Sequence, residues 1–209
     1  MKVLFAASEC APIVKVGGLA DVVGSLPKAL SKLGVEVAVA LPHYEKIQEY
    51  PEFLPGTQIP VFYLGTSQEY SGDPYPGGDQ EHARFASFSR QVARFLETRQ
   101  FEAEILHLHD YHTGLIPDII HQRKIKIATV LTIHDVQNEG RSDGDILLAA
   151  DLSHRYLQAL GWNLHDANID MLLRGIVGAD IVNTVSPTYA KEIMNPSVAG
   201  GLADVLQSR

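Results

Sequence analysis

The chain has 209 residues, of which 45% are hydrophobic and 20% are charged, so it can bury a sizeable core as one large domain or two small ones. Its 17 basic and 25 acidic residues give a net charge of −8, which argues against electrostatic binding to nucleic acid or to an anionic membrane. The single cysteine, Cys10, excludes an intramolecular disulfide and a zinc site made of cysteines alone.

Apolar runs and helical patterns alternate along the chain. Strands are predicted at residues 3–7, 35–41, 60–64, 105–109, 128–134 and 180–185. Helices are predicted at 19–33, where Pro27 kinks or divides the helix and Gly34 ends it, at 81–100, at 114–123, in pieces over 145–178, and after Ser186 as N-cap with Pro187 in the first turn. Residues 50–80 are rich in Pro, Gly and Tyr and are predicted to be mostly loop.

This alternation predicts an α/β fold in which a Rossmann-like parallel sheet carries helices on both faces. Ligands of such sheets bind outside the carboxyl ends of the strands. Four predicted strands are followed there by polar or glycine-rich segments, KVGGL, HDYHTG, HDVQNEG and VSPTY. A binding cleft is therefore expected at this edge of the sheet.

The KVGGL segment places Lys15, Gly17 and Gly18 between the first strand and the first helix. The glycine spacing differs from the dinucleotide fingerprint, and the lysine precedes the glycines, unlike the P-loop lysine. The pattern favours an anion held by backbone N–H groups at the helix N-terminus, with Lys15 as an added charge. The alternative is that the glycines serve only the geometry of the turn.

The HLHDYH segment allows a metal interpretation. A strand places His107 and His109 on one face, and His112 follows closely, so these histidines are candidate ligands of a metal-dependent hydrolase. The spacing differs from the usual HxHxDH pattern of such enzymes. Structural hydrogen bonding combined with substrate contact is the favoured interpretation.

Several long stretches resemble the bacterial glycogen synthases and plant starch synthases. These include MKVLFAASECAPIVKVGGLADVVGSLPKAL, ILHLHDYHTGLIP, TIHDVQNEG and LLRGIVGADIVNTVSPTYAKEI, in the family's order. The resemblance implies retaining transfer of glucose from ADP-glucose, or UDP-glucose in some members, to the non-reducing end of an α-1,4-glucan, without a metal or another cofactor. It also implies the GT-B arrangement of two Rossmann-like domains, of which residues 1–209 resemble the N-terminal, acceptor-side half. The resemblance implies that the C-terminal nucleotide-binding domain is absent from this chain, and activity is expected only when that domain is present.

The resemblance also implies roles for individual residues. It puts Lys15 and the backbone of Gly17 and Gly18 beside the donor phosphates, and His134 and Asp110 at the transferred glucose as catalytic residues. At the acceptor and sugar positions it puts Asp21, Tyr75, Tyr111 and Asp135. The chain departs from the family at Val16, where threonine is usual, at Tyr111, where tryptophan is usual, and at Asp135, where asparagine is usual.

One alternative is a stand-alone glucan-binding module of the same fold; the other is the metal-dependent hydrolase. The N-terminus, with Lys2 and a short apolar run interrupted by Glu9, resembles neither a signal peptide nor a membrane span. A cytoplasmic location is therefore expected, or a plastid one if the source is a plant. The expected partners are a nucleotide sugar and a glucan such as glycogen or a malto-oligosaccharide.

Overall fold

The computed structural model describes residues 1–144, 146–153 and 169–209. In chain order the strands are β1 (Lys2–Ala6), β2 (Glu36–Pro42), β3 (Val61–Leu64), β4 (Ile105–His109), β5 (Ala128–Ile133), β6 (Arg141–Ser142), β7 (Ile169–Asp170) and β8 (Ile181–Thr184). The helices are α1 (Gly18–Lys32), α2 (Gly78–Thr98), α3 (Ile116–Gln122), α4 (Ile146–Ala150), α5 (Met171–Gly178), α6 (Pro187–Glu192), α7 (Pro196–Ala199) and α8 (Leu202–Gln207), with a 3₁₀ turn at Tyr111–Thr113. None of the described helices is both long and apolar enough to cross a membrane.

Six strands form one sheet in the order β3-β2-β1-β4-β5-β8, and every neighbouring pair is parallel. This confirms the predicted fold class. The strand order reverses between β1 and β4, because β2 and β3 lie on one side of β1 and the later strands lie on the other. Such a switch point opens a crevice at the carboxyl ends of the two strands.

Both faces of the sheet are covered, because alternate residues of β1 enter different apolar layers. Val3 and Phe5 pack in one layer with Leu19 and Val23 of α1. Leu4 lies in the other and larger layer, to which α2, α3 and α5 contribute buried residues. Strands β1, β2 and β4 are therefore buried on both sides over most of their length, whereas the edge strand β8 is partly exposed.

The predicted elements match the observed ones with several differences. Helices α7 and α8, which follow the predicted helix at Ser186, were not predicted. Helix α1 is not divided at Pro27 but continues through it, because the face that carries Leu19, Val23 and Pro27 is buried. The short antiparallel pair β6 and β7 was not predicted, since each strand has only two residues. Of the helical pieces predicted over 145–178, α4 and α5 are present, and residues 145 and 154–168 lie outside the described residues.

Candidate functional site

A cavity of about 680 Å³ lies at the carboxyl ends of β1, β4 and β5. We call it the cleft. Seven of the nine residues that the resemblance assigned to the site line it: Gly17, Gly18, Tyr75, Asp110, Tyr111, His134 and Asp135. The chain segments that follow these three strands are far apart in sequence, and the parallel sheet brings them together at one edge.

Lys15 and Asp21 do not line the cleft but form an ion pair beside it. The Lys15 ammonium lies 2.7 and 2.8 Å from the two carboxylate oxygens of Asp21. Both side chains are largely exposed, at 53% and 59%, so the pair contributes little to stability. The lysine is thus held by a carboxylate of this chain, next to the glycine turn where a donor phosphate was expected.

The Glu9 carboxylate lies in the glycine turn that precedes α1. Its Oε2 accepts hydrogen bonds from the backbone N–H groups of Val16 and Gly17, the latter at 2.8 Å, and its Oε1 accepts one from the hydroxyl of Tyr75 at 2.6 Å. The side chain is buried, with the residue only 3% exposed. The N–H groups that the glycine turn presents are therefore already paired at Val16 and Gly17, and Glu9 connects this turn to Tyr75.

Tyr75 comes from the loop before α2 and reaches the end of β1. Its hydroxyl lies 2.8 Å from Oγ of Ser8, in addition to its bond to Glu9, and its ring packs against Phe85 and His112. Burial, followed by the hydrogen bond to Glu9, raises the pKa of Tyr75 well above its ordinary value. The phenol therefore stays neutral and can donate a hydrogen bond.

Asp110 joins the ends of β4 and β5. Its Oδ1 accepts hydrogen bonds from the backbone N–H groups of His134 at 2.6 Å and of Asp135 at 3.3 Å. Its own backbone has φ of 54° and ψ of −169°, a conformation that is costly for a residue other than glycine. Burial raises the pKa of this carboxyl to about 7, although the two N–H bonds oppose the shift.

Tyr111 lies against the cleft but is 0% exposed. Its hydroxyl donates a hydrogen bond to Glu81, and its ring packs against Phe85 and His112. Gly140, with φ of 62°, lies so close that a Cβ there would be 2.2 Å from the ring. The ring that was expected to stack on a sugar is therefore covered by protein, and Tyr111 bounds the cleft by holding Glu81.

Asp135 is exposed at the end of β5, and its Oδ1 accepts a hydrogen bond from the N–H of Gln137 at 2.9 Å. It is one of four carboxyl groups along the cleft, with Glu9, Glu81 and Asp110. No lysine or arginine of the described residues lines it. The lining of the cleft therefore suits hydroxyl donors better than anions.

The histidines of β4 pair with neighbours in β5 and directly after it. His107 Nε2 lies 2.7 Å from Oγ1 of Thr132, and His109 Nδ1 lies 3.0 Å from Nε2 of His134. Burial lowers the pKa of His107 and of His134 to about 4, and that of His109 well below its ordinary value. These rings are therefore neutral at pH 7.

Nothing in this arrangement forms a metal site. Among residues 1–144, 146–153 and 169–209, no three histidine, cysteine or acidic side chains converge in a way that could hold a metal ion. The ring nitrogens of His107 and His109 that have partners are bonded to Thr132 and His134. The geometry thus provides no ligand set for the metal-dependent hydrolase.

Replacing His107 by glutamine is expected to reduce the loss of unfolding free energy as the pH falls from 6.5 to 4. Because His107 has a pKa of about 4 in the folded chain and about 6.5 when unfolded, the unfolded chain takes up a proton first as the pH falls. This group therefore lowers the free energy of unfolding between pH 6.5 and 4, by about 3 kcal/mol in total. Glutamine keeps an N–H donor for Thr132 and does not titrate.

The measurement is urea unfolding of both chains at several pH values. We expect the difference between the two free energies of unfolding to change by about 3 kcal/mol across that window. Asp110, whose raised pKa acts with the opposite sign, is common to both chains and cancels. A difference in unfolding free energy that stays constant between pH 6.5 and 4 would show that His107 does not resist protonation in the folded state.

Sequence reasoning missed Glu9, Glu81 and Asn138, which also line the cleft. For Glu9 a signal was present, because a lone acidic residue lies two residues after the predicted apolar strand and precedes a glycine turn. Glu81 and Asn138 lie in polar segments, where nothing distinguishes them from solvated residues.

Residues 2–208 match the family model described as the starch synthase catalytic domain. The chain is 35% identical over 229 residues to glycogen synthase from Gloeobacter violaceus, covering 100% of this chain and 47% of that protein. It is 36% identical over 241 residues to glycogen synthase from Bacillus subtilis, covering 100% of this chain and 49% of that one.

The fold also matches the catalytic domain of starch synthase IV from Arabidopsis thaliana bound to ADP and acarbose, with a TM-score of 0.84 and 25% identity over 99% of this chain and 49% of that one. The chain thus spans about half the length of the curated relatives it matches. Since the family match runs along nearly its entire length, this chain belongs to the starch synthase catalytic domain family.

Proposed function

We propose that the chain is the N-terminal, acceptor-side half of a retaining glucosyltransferase of the cytoplasm or a plastid. It transfers glucose from ADP-glucose, or UDP-glucose, to the non-reducing end of an α-1,4-glucan such as glycogen or starch. The observation that carries this proposal is the cleft, which gathers Tyr75, Asp110 and His134 at the switch point of the sheet. The starch synthase IV structure, which this chain matches over 99% of its length, is bound to ADP and acarbose, and we assign the same classes of ligand to the cleft.

The acceptor and the transferred glucose lie against the carboxyl groups in this proposal. Sugar hydroxyls donate to carboxylates, and Asp135 is exposed and available for this role. We assign Tyr75, which lines the cleft, and Asp21, which lies beside it, to the acceptor side. Tyr111 contributes through Glu81, whose carboxylate it holds at the wall of the cleft.

The donor diphosphate needs positive charge, and no lysine or arginine of the described residues lines the cleft. Helix α1 begins at Gly18, so its first N–H groups and its dipole face the cleft. Lys15 is near, and a phosphate that approached it would compete with Asp21 for the ammonium. The remaining cations come from a second, C-terminal domain, so this chain alone does not catalyse transfer. The proposal includes no metal and no cofactor.

Titration of the ¹⁵N-labelled chain with maltoheptaose tests the proposal. We expect shifts in the amide signals of Tyr75, Asp110 and His134, with a dissociation constant on the order of millimolar. Tyr75→Phe removes the hydroxyl that holds the Glu9 carboxylate at the cleft and is expected to weaken binding by about 3- to 10-fold. Tyr50→Phe is the matched control, because the Tyr50 hydroxyl bonds only Tyr44 O among the described residues and does not line the cleft.

Two results would contradict the assignment of glucan to the cleft. One is the absence of any shift at maltoheptaose concentrations of tens of millimolar. The other is a set of shifts confined to the cavity of about 440 Å³ at the opposite edge of the sheet, which Thr129 and Asp180 line.

A further inference from the structure

His109 is a buried neighbour of His134 that the proposed chemistry does not yet use. Its ring is fully buried, with the rings of Phe5 and His107 stacked against it at centroid distances of 5.6 and 4.5 Å. Its Nδ1 lies 3.0 Å from Nε2 of His134. Its Nε2 is buried and has no hydrogen-bond partner among the described residues.

One proton lies between His109 Nδ1 and His134 Nε2, and it belongs to one of the two nitrogens. Since each neutral imidazole has one N–H donor and one acceptor, either His109 donates from Nδ1 or His134 donates from Nε2. In the second case His109 would carry its proton on Nε2, as a buried N–H without an acceptor. Orphaned buried N–H groups are rare, and orphaned acceptors are less so. The burial of His109 Nε2 therefore favours the proton on Nδ1.

We infer that His109 is a positioning residue that donates from Nδ1 to His134 and so fixes His134 with its proton on Nδ1. That nitrogen of His134 has no partner among the described residues, and the half-buried ring lines the cleft. His134 thus presents an N–H donor there, which suits an oxygen of the bound sugar. The tautomer does not depend on the proposed function; only the identity of the acceptor does.

The neutral state of both rings supports this assignment. Burial keeps the pKa of His134 at about 4 and that of His109 lower still, so neither ring gains a second proton at pH 7. A neutral side chain that carries its proton on Nδ1 is the minor form of free histidine. Its presence in two neighbouring residues is therefore a distinctive signature.

The test is a long-range ¹H–¹⁵N correlation spectrum of the chain labelled with ¹⁵N-histidine at pH 7, without ligand. We expect His109 and His134 to be protonated on Nδ1. His107 serves as an internal reference with its proton on Nε2, because Thr132 gives its own hydroxyl proton to Asn183 at 2.6 Å and must accept from His107. A His134 signal with the proton on Nε2 would overturn the inference, and the unsubstituted chain suffices for this result.

Two variants test whether His109 causes the effect. Asparagine places an N–H₂ donor where Nδ1 lies, so in His109→Asn we expect His134 to keep its proton on Nδ1. In His109→Leu the donor is lost, and His134 is expected to change to the Nε2 form. An unchanged His134 in a folded His109→Leu chain would show that His109 does not set the tautomer. Failure to bind maltoheptaose would contradict the proposed function and leave these spectra unaffected.

Discussion

Replacing Gly114 by alanine is expected to lower the free energy of unfolding by about 3 kcal/mol or more, because backbone atoms occupy the space that a methyl group would need. A Cβ at Gly114 would lie 1.9 Å from the carbonyl oxygen of Met171 and 2.7 Å from its carbonyl carbon. The backbone of Gly114 has φ of −65° and ψ of −22°, which alanine adopts without strain. The expected cost is therefore steric, and it falls where α5 crosses the turn after β4.

Gly201→Ala is the matched control. Its backbone is also helical, with φ of −66° and ψ of −18°, and no atom lies within 4 Å of its Cβ position. Alanine there is expected to be neutral, or to stabilise the chain by up to about 1 kcal/mol through the unfolded state. Urea unfolding measures both variants. Equal stability of Gly114→Ala and Gly201→Ala would show that α5 does not pack against this turn as described.

Asp110→Ala is expected to lower glucosyl transfer by about 10²-fold or more in the longer protein that the proposed function requires. The carboxylate holds the backbone of His134 and Asp135, so its removal releases the end of β5 from the end of β4. Alanine also tolerates a φ of 54° less well than aspartate does. The ring of His134, which lines the cleft, would then lose its position, and a displacement of about 1 Å is enough for such a loss.

Asp110→Asn removes the negative charge of the side chain but keeps an oxygen that can hold the end of β5. Its amide oxygen can accept both N–H groups, and asparagine also tolerates the positive φ. We expect this variant to retain transfer within about 10-fold of the parent, because the role of Asp110 here is chiefly to position His134. Transfer by Asp110→Ala within about threefold of the parent, measured with a folded protein, would contradict this role.

Much of the fold could be predicted because the central strands of the sheet are buried on both faces. Continuous apolar runs such as VLFAA stand out against their polar surroundings, and the predicted strands end within one or two residues of the observed ones. The position of the cleft followed from the same pattern, since polar or glycine-rich segments lie between each of the strands β1, β4 and β5 and the helix that comes next in the chain. The pair β6 and β7 could not be predicted, because two-residue strands have no periodicity.

The partners of the site residues were harder to predict, because they depend on distances across the sheet. Lys15 was expected to face an anionic ligand, and its charge is balanced by Asp21, one turn into α1. The glycine turn was expected to face phosphate. Instead, the Glu9 carboxylate from the preceding loop accepts hydrogen bonds from two of its N–H groups. The ring of Tyr111 looked available for stacking, and the close approach of Gly140 covers it. None of these contacts leaves a periodic pattern in the sequence.

The most direct test of the proposal is the incorporation of radiolabelled glucose from ADP-glucose into glycogen. We expect the longer protein, in which this chain is followed by a C-terminal nucleotide-binding domain, to incorporate label, and its Asp110→Ala variant to do so about 10²-fold more slowly. The 209-residue chain alone is expected to incorporate none above its own Asp110→Ala variant, because in the proposed function one domain alone cannot hold both substrates in line. Incorporation by the chain alone at a rate clearly above that variant would contradict the claim that this chain is the acceptor-side half of a two-domain enzyme.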